Sequence, residues 1–538
     1  MDRRSFVTAS ALAAGAALTG SAAMAAEGKA AASSSADAPA VYDVSKTVDA
    51  DVVVIGAGGA GCAAATRAAE LGLSTVLLEQ MAQTGGTTLF TEGLFAVNSH
   101  WQAELGTNPD VNDLFTRAMD YHHWLCDGHL FREYVNQSGA DIDWMESNGV
   151  MFKGTGTMCD NTYNTWHLYE TREGEISGAV YVEQWAAAAT AAGAQTVLNA
   201  EAVDLVTEGG RVSGVIAKQG DSYVQYNAKG GVVLACGGYA DNDDMIVELA
   251  GVKPGRVQPM GAGGRNGFGI KAAQKLGAAL AKAPGTLVYY GGCMPGDVYG
   301  SHLYCITSFQ PLFWVNQDGR RFVNEYYAER NFSFSGSAQS MQDKVFSILT
   351  KAQIDDMVEN GGIFGCGEYI KAGEPLPKFW EQYQAQVNAG NEAIQSADTL
   401  EELATKIGVD PDALVAEVEK YNGFCAAGED GEFAKDPQYL RPLEEGPYYS
   451  FSLNVGIFAT VGGLKIDEDS EVLDADGKPL AGLYAAGCDT GGLYGDAYDV
   501  SICEGSCQGY AVYTGRRAAE AVAASLGVEV PSILKDEQ

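Results

Sequence analysis

Positive charge is scarce in this sequence. Lys and Arg number 34 against 70 Asp and Glu, which leaves a net charge of −36 over 538 residues. Nucleic acid and anionic membrane surfaces both need a basic footprint, so neither is expected as the main partner. The 11 cysteines contain no C-x-x-C pair and therefore no C-x-x-C-H motif for covalent haem. Cys503 and Cys507 stand one helical turn apart, with Cys488 nearby in sequence. They read as small buried side chains rather than as a metal or iron–sulfur site, so no metal is expected. No internal repeat is visible, and past the N-terminus no apolar run is long enough to cross a bilayer. What is present is an ordinary globular composition, 46% hydrophobic and 19% charged, with room for about two to four domains. Glycine is abundant at 67 residues, which points to tight turns and places where backbone closely approaches something else.

The N-terminus begins with a paired Arg3-Arg4, followed by an Ala-rich apolar run to about Ala23 and small residues at Ala23-Met24-Ala25. This pattern reads as a twin-arginine export signal over residues 1–25, which predicts a periplasmic or extracytoplasmic protein, membrane-associated at most. Residues 26–46 are rich in Ala, Ser and Asp and read as a linker. Twin-arginine export carries folded proteins that are often already loaded with cofactor, so the signal points to a cofactor before any motif does.

The first motif follows at once. Asp51–Ile55 is a short β-branched run, Gly56-Ala-Gly58-Gly59-Ala60-Gly61 comes next, and Cys62–Glu70 has small side chains and high helix propensity. Ser74–Leu78 is a second apolar run ending at Glu79. A strand, a G-x-G-x-x-G turn, a helix and an acid 18 residues past Gly61 make a dinucleotide-binding βαβ unit. Gly56 permits the turn, Gly58 lets backbone approach a pyrophosphate, and Gly61 lets helix and strand pack. Glu79 accepts from ribose hydroxyls, and the helix start offers N–H groups to phosphate.

A second Gly-rich loop, Gly85-Gly86-Thr87-Thr88, and then Glu92-Gly93 suit FAD better than NAD, because extended FAD needs donors beyond the first loop. Residues 109–150 read as amphipathic helices. Gly231–Gly238 and Gly482–Gly492 each read as a strand ending in paired glycines that returns to the cofactor. The stretch 291–455 lacks this design and has acidic helical segments near 343–359 and 397–420. The expected fold is therefore α/β: a Rossmann-like FAD-binding domain over 47–290 and 456–538, with an α+β capping domain inserted at 291–455.

Together the N-terminal fingerprint, Gly85–Thr88, Val315–Glu325 (V-N-Q-D-G-R-R-F-V-N-E), Thr460–Leu464 and Ala486–Gly492 resemble the flavoprotein fumarate reductases. That superfamily includes urocanate reductases and ketosteroid dehydrogenases. The similarity covers most of residues 50–522. It implies a mobile cap and hydride exchange between flavin N5 and a carbon–carbon double bond. Thr87 stands where membrane-bound relatives carry the His of a covalent flavin, so noncovalent FAD is implied. The cofactor residues expected are Gly56, Gly58, Gly59, Ala60, Gly61, Glu79, Gln80, Gly85, Gly86, Thr87, Thr88, Glu92 and Gly93, then Ala202, Val203, Gly237, Gly238, Gly487, Asp489, Ile502 and Cys503.

The substrate positions depart from the fumarate pattern. Ala459 replaces a carboxylate-binding His, Tyr498 replaces the clamp Arg, and Glu329 with Arg330 occupies the region of the proton-donating Arg. A C4 dicarboxylate needs cations at both ends, so fumarate is not the expected substrate. In ketosteroid dehydrogenases a Tyr at the place of Tyr498 resembles a donor to a keto oxygen, helped by a backbone N–H that falls here on Ile502. The expected reaction is reduction of a carbonyl-conjugated double bond, an enoate- or enone-reductase activity, with Tyr498 stabilising enolate charge. Arg330 is the first choice of proton donor, with Glu329 beside it and Tyr327 or Tyr326 behind. Tyr494, His302 and Ala459 are expected to touch substrate, and His167 is a weaker candidate. Two alternatives keep the flavin: a ketone dehydrogenase that passes electrons outward, and an electron carrier without its own substrate. Only one dinucleotide fingerprint is present, so electrons are expected from an external donor, a small cytochrome or a membrane quinol-oxidising partner, as in anaerobic respiration.

Overall fold

The computed structural model describes residues 41–157, 163–172 and 177–534. The export signal, most of the linker and Cys159 lie outside the described residues. From Val44 onward the chain is one compact unit.

The apolar run of the fingerprint forms the end of a strand, Val44–Ile55, with Val52, Val53 and Val54 fully buried. Burial on both faces is what a central parallel strand requires. The strand starts earlier than its apolar run. Val44 pairs with Tyr223 and Lys46 with Val224, so residues 44–46 belong to the sheet rather than to a linker. Backbone pairing there needs no apolar side chains, which is why composition misreads it.

The main sheet sets the position of the site. Ile55 lies opposite Leu78 on one side and Leu234 on the other. Leu234 pairs with Ala485, and Leu78 with Val197. The carboxyl ends of five parallel strands therefore stop along one line, the edge at which α/β sheets bind ligands. The fingerprint helix, Gly59–Glu70, packs under this edge beside the C-terminal helix Ser506–Ser525. The two approach backbone to backbone: a Cβ on Gly515 would stand 2.2 Å from the Ala60 carbonyl oxygen. Small side chains on both helices follow from that approach.

A second sheet is built on the strand Tyr448–Thr460. It pairs in parallel with Val257–Pro259 and antiparallel with Leu287–Cys293, Val345–Thr350 and Ile394–Ala397. The expected domain boundaries at 290/291 and 455/456 thus fall inside strands, because this sheet draws on residues from 257 to 460. Val345–Thr350 is a wholly buried strand, and the acidic helix expected around it starts only at Lys351. Charge in the flanking residues masked the six buried ones. A small third sheet joins Gly93–Phe95, Trp166–Tyr169 and Phe152–Gly156.

The G-R-R-F-V-N-E string has a structural role. Arg321 bonds Glu325 at 2.8 Å and Asp430 at 2.9 Å, and Lys435 reaches Glu325 at 3.0 Å. All four side chains are sealed from solvent, so each charge depends on its partners. Burial alone would raise the Glu325 carboxyl, yet Lys435 and Arg321 hold it below its ordinary value. Among the described residues no helix is long and apolar enough to cross a membrane.

Candidate active site

One cleft runs along the carboxyl edge of the main sheet to the face of the second. At its dinucleotide end Glu79 accepts from the Ala57 N–H and the Met81 N–H, both at 2.8 Å. This fixes the carboxylate where it faces the cleft. The second Gly loop is pinned to the first. Gly85 N–H donates to the Ala57 carbonyl at 2.9 Å, and Gly59 N–H donates to Thr88 Oγ1 at 3.0 Å.

The three fingerprint glycines divide by cause. A Cβ on Gly56 would stand 2.2 Å from the Ala235 oxygen, and one on Gly61 would stand 1.7 Å from the Gly56 oxygen. The protein's own packing demands those two. Gly58 has an extended backbone, and a Cβ there would meet nothing closer than 3.5 Å. Its bareness serves no contact within the chain and leaves backbone open to the cleft. Together with Glu79 and the uncapped helix start, it is the cradle that a dinucleotide pyrophosphate fits.

Most of the expected cofactor residues line this cleft: Gly56, Gly58, Gly59, Ala60, Glu79, Gln80, Gly86, Thr87, Thr88, Glu92, Gly93, Ala202, Gly237 and Gly487. Seven do not. Gly61 and Gly85 are spent on packing and on the bond to Ala57. Val203 is left unpaired where the register of its strand shifts between Ala202 and Asp204, and Ala202 takes the cleft side. Asp489 accepts from Cys236 N–H at 2.6 Å and Gly238 N–H at 3.1 Å. It ties the two glycine-ended strands together, and both it and Gly238 sit behind the wall. Cys503 is buried outside the lining, and burial pushes its thiol well up. Ile502 N–H donates to Asp499 Oδ1 at 2.9 Å.

At the far end the lining turns aromatic. Tyr290, Tyr299, Phe332, Phe458 and Tyr498 face the cleft, with Ala459 among them. The Tyr498 and Phe332 rings stack at 6.5 Å. Ser333 Oγ (2.6 Å) and Tyr121 OH (3.2 Å) both donate to the Tyr498 carbonyl and fix its backbone. Burial pushes the Tyr498 phenol well above its ordinary value, and a hydrogen bond from the Gly505 N–H opposes that push. Gly505, which also lines the cleft, is therefore the backbone donor beside Tyr498. The expected Ile502 N–H is engaged by Asp499.

Other expected residues stand elsewhere. Tyr494 lies behind Tyr498 and bonds Ser506 Oγ at 2.8 Å. Arg330 pairs with Glu329 at 3.1 Å and lies over the Phe364 ring. Tyr327 is 37% exposed and packs on Tyr326 and Phe334. None of these is among the residues that line the cleft; Arg330, Glu329 and Tyr327 lie on the short helix Tyr327–Arg330. His302 Nδ1 accepts from the Lys378 N–H, at the start of its own helix. His167 is fully buried between Ser99 Oγ and the Thr165 carbonyl.

Sequence reasoning missed Arg265, the only cation among the described residues that line the cleft. It is paired with Asp241 at 2.7 Å and donates to Thr87 Oγ1 at 3.1 Å. The acids Glu79, Glu92 and Glu504 share the lining. Burial pushes the Glu92 carboxyl up to about 8. No motif marks Arg265, which reaches the wall through the loop after Pro259.

Two buried histidines predict acid lability. Burial lowers His122 and His167 to about 4, below the ordinary imidazole value. Between about pH 6.5 and 4 the unfolded chain therefore binds more protons than the folded one, so stability falls as pH falls. Each histidine is expected to cost about 3 kcal/mol by pH 4. Urea titrations across this range should show the loss, with a shallower slope in His167→Gln. An unchanged slope would mean that His167 is not held neutral.

The family described as FAD binding domain matches residues 51–501. A vinyl phenol reductase of Lactiplantibacillus plantarum is 36% identical over 474 residues, spanning 87% of this chain and 94% of that protein. A urocanate reductase of Eggerthella lenta is 28% identical, spanning 89% of this chain and 75% of that protein. The solved structure of the open conformation of a flavocytochrome c3 fumarate reductase superposes with a TM-score of 0.68 at 24% identity. That superposition covers 90% of this chain and 79% of the other.

Proposed function

We propose, from the premise that this chain belongs to the FAD-binding family and is a fumarate reductase-like flavin oxidoreductase, that it reduces an activated carbon–carbon double bond in a neutral substrate. The double bond is conjugated to a carbonyl or a phenol ring. The observation that carries this reading is the lining of the cleft. Among the described residues its one cation, Arg265, is neutralised by Asp241, while its far end is aromatic. A dicarboxylate would lose its hydration there and gain no counter-charge. A flat neutral substrate buries apolar surface against Phe332 and Phe458. The most similar relative described above is a vinyl phenol reductase, which supports a neutral conjugated alkene.

Glu79 and the two Gly loops would hold FAD without a covalent bond, since Thr87 is tied to Arg265 and no His lines the cleft. When bound, FAD supplies the hydride. The chain supplies polarisation: Tyr498 O–H donates to the substrate oxygen, and its raised pKa keeps it protonated while charge develops there. A neutral donor does this without an unpaired cation buried in the resting site. Electrons come from an external donor. The net charge of −36 supports docking of a basic carrier, and the Arg3-Arg4 segment supports work outside the cytoplasm. The direction of flow is tested by comparing anaerobic turnover driven by reduced viologen with oxidation of saturated ketones by an artificial acceptor. The viologen assay is expected to turn over, and turnover in the acceptor assay alone would overturn the reductase reading.

A further inference from the structure

The expected proton donors on Tyr327–Arg330 are not among the residues that line the cleft, yet each hydride added to a carbon requires a proton on its neighbour. The second sheet supplies another candidate. The strand Leu287–Cys293 pairs with Tyr448–Thr460 through Val288 opposite Ala459, Tyr289 opposite Ile457 and Gly292 opposite Val455. Each strand therefore has residues left out of register: Gly456 and Phe458 on one, Tyr290 and Gly291 on the other. Bulges of this kind re-aim side chains, and both Phe458 and Tyr290 face the cleft. Gly291 takes φ +55°, which the bend requires. Tyr290 OH meets Tyr299 OH at 2.5 Å, and Tyr299 also faces the cleft. Phe332 lies between this pair and Tyr498, 4.6 Å from the Tyr290 ring and 6.5 Å from the Tyr498 ring.

We propose that Tyr290 is the proton donor of the reduction and that Tyr299 restores its proton. This deepens the function proposed above and rests on it. In the step, the Tyr290 O–H bond breaks and a C–H bond forms on one alkene carbon as the other receives hydride. The phenolate left behind takes the Tyr299 proton across their shared hydrogen bond. One proton from water closes the cycle, and the two electrons come from the reduced flavin. Glu92 lines the same cleft and offers the route inward. Its Oε1 accepts from the Glu368 N–H at 3.0 Å, and Glu368 reaches the surface, paired there with Lys153. A buried Glu92 carboxyl pushed up to about 8 holds its proton at neutral pH. The groups that bear on Tyr290 are Cys366, Glu92, Tyr299 and Glu329; none is a cation. Burial keeps both phenols protonated at rest.

The test uses the holoenzyme with 4-vinylphenol and cyclohexenone as probes. Tyr290→Phe is expected to keep its flavin content and the spectral shift on probe binding, with KM within about threefold. Its kcat should fall at least about 100-fold and its solvent deuterium isotope effect should rise. Tyr299→Phe should fall by about tenfold or more with the same binding. A second form carries 2,3-difluorotyrosine at position 290, with nearly the same shape and a more acidic phenol. The alkaline limb of its kcat profile should move to lower pH. An unchanged kcat and isotope effect in Tyr290→Phe, or an unmoved limb in the fluorinated form, would overturn the assignment alone. Failure of the unaltered enzyme to reduce either probe would overturn the function proposed above, and this inference with it.

Discussion

Gly58→Leu should give a folded, colourless protein. The reason lies in the contrast among the three fingerprint glycines. Gly56 and Gly61 are required by carbonyl oxygens 2.2 and 1.7 Å from where a Cβ would sit, so substitution there disturbs the sheet and helix themselves. Gly58 has no such neighbour, and its φ of −85° suits any residue. A leucine there is accepted by the fold and projects into the cleft where the pyrophosphate fits. FAD affinity should fall more than about 100-fold, or about 3 kcal/mol. The far-ultraviolet dichroism and the unfolding midpoint of the cofactor-free chain should match those of the unaltered protein. Gly61→Ala, by contrast, should lower that midpoint sharply. A yellow Gly58→Leu protein with one flavin per chain would remove the dinucleotide reading of the loop.

Tyr498→Phe is expected to lower kcat about 100- to 1000-fold with enone or vinylphenol probes, the range for loss of one donor to a developing oxyanion. Flavin content should stay unchanged, because the ring still packs against Phe332 and its backbone is held by Ser333 and Tyr121. Residual activity is expected because the Gly505 N–H remains beside the vacated position. If Tyr498→Phe matches the unaltered enzyme, Tyr498 is a packing residue and charge is stabilised elsewhere. If it loses flavin and activity together, its role is to support the cofactor wall.

The cofactor half of the site was legible because its information is local. A strand, three glycines, a helix and an acid within about thirty residues force one backbone path, and Gly56 through Glu79 fold as read. The misreadings share one cause: a contact between residues distant in sequence. Asp489 reads as a cofactor residue because it sits among glycines, but it is drawn to Cys236 and Gly238 some 250 residues earlier. Ile502 follows from counting along the chain, but the turn at Asp499 takes its N–H and Gly505 stands beside Tyr498 instead. Arg330 follows from its position after the N-E motif, but the Glu325 of that motif is held in a buried ion cluster and Arg330 pairs with Glu329 outside the cleft lining. Tyr290 and Phe458 were invisible as site residues because strand register aims them. A bulge depends on the pairing of two strands about 170 residues apart, and neither strand announces it alone.

The most direct test of the central claim is a single-turnover experiment on the reduced holoenzyme, mixed anaerobically with a neutral conjugated alkene or with fumarate. The account predicts rapid flavin reoxidation by 4-vinylphenol or an enone and none above background by fumarate. Brisk reoxidation by fumarate, with the neutral alkenes inert, would contradict it.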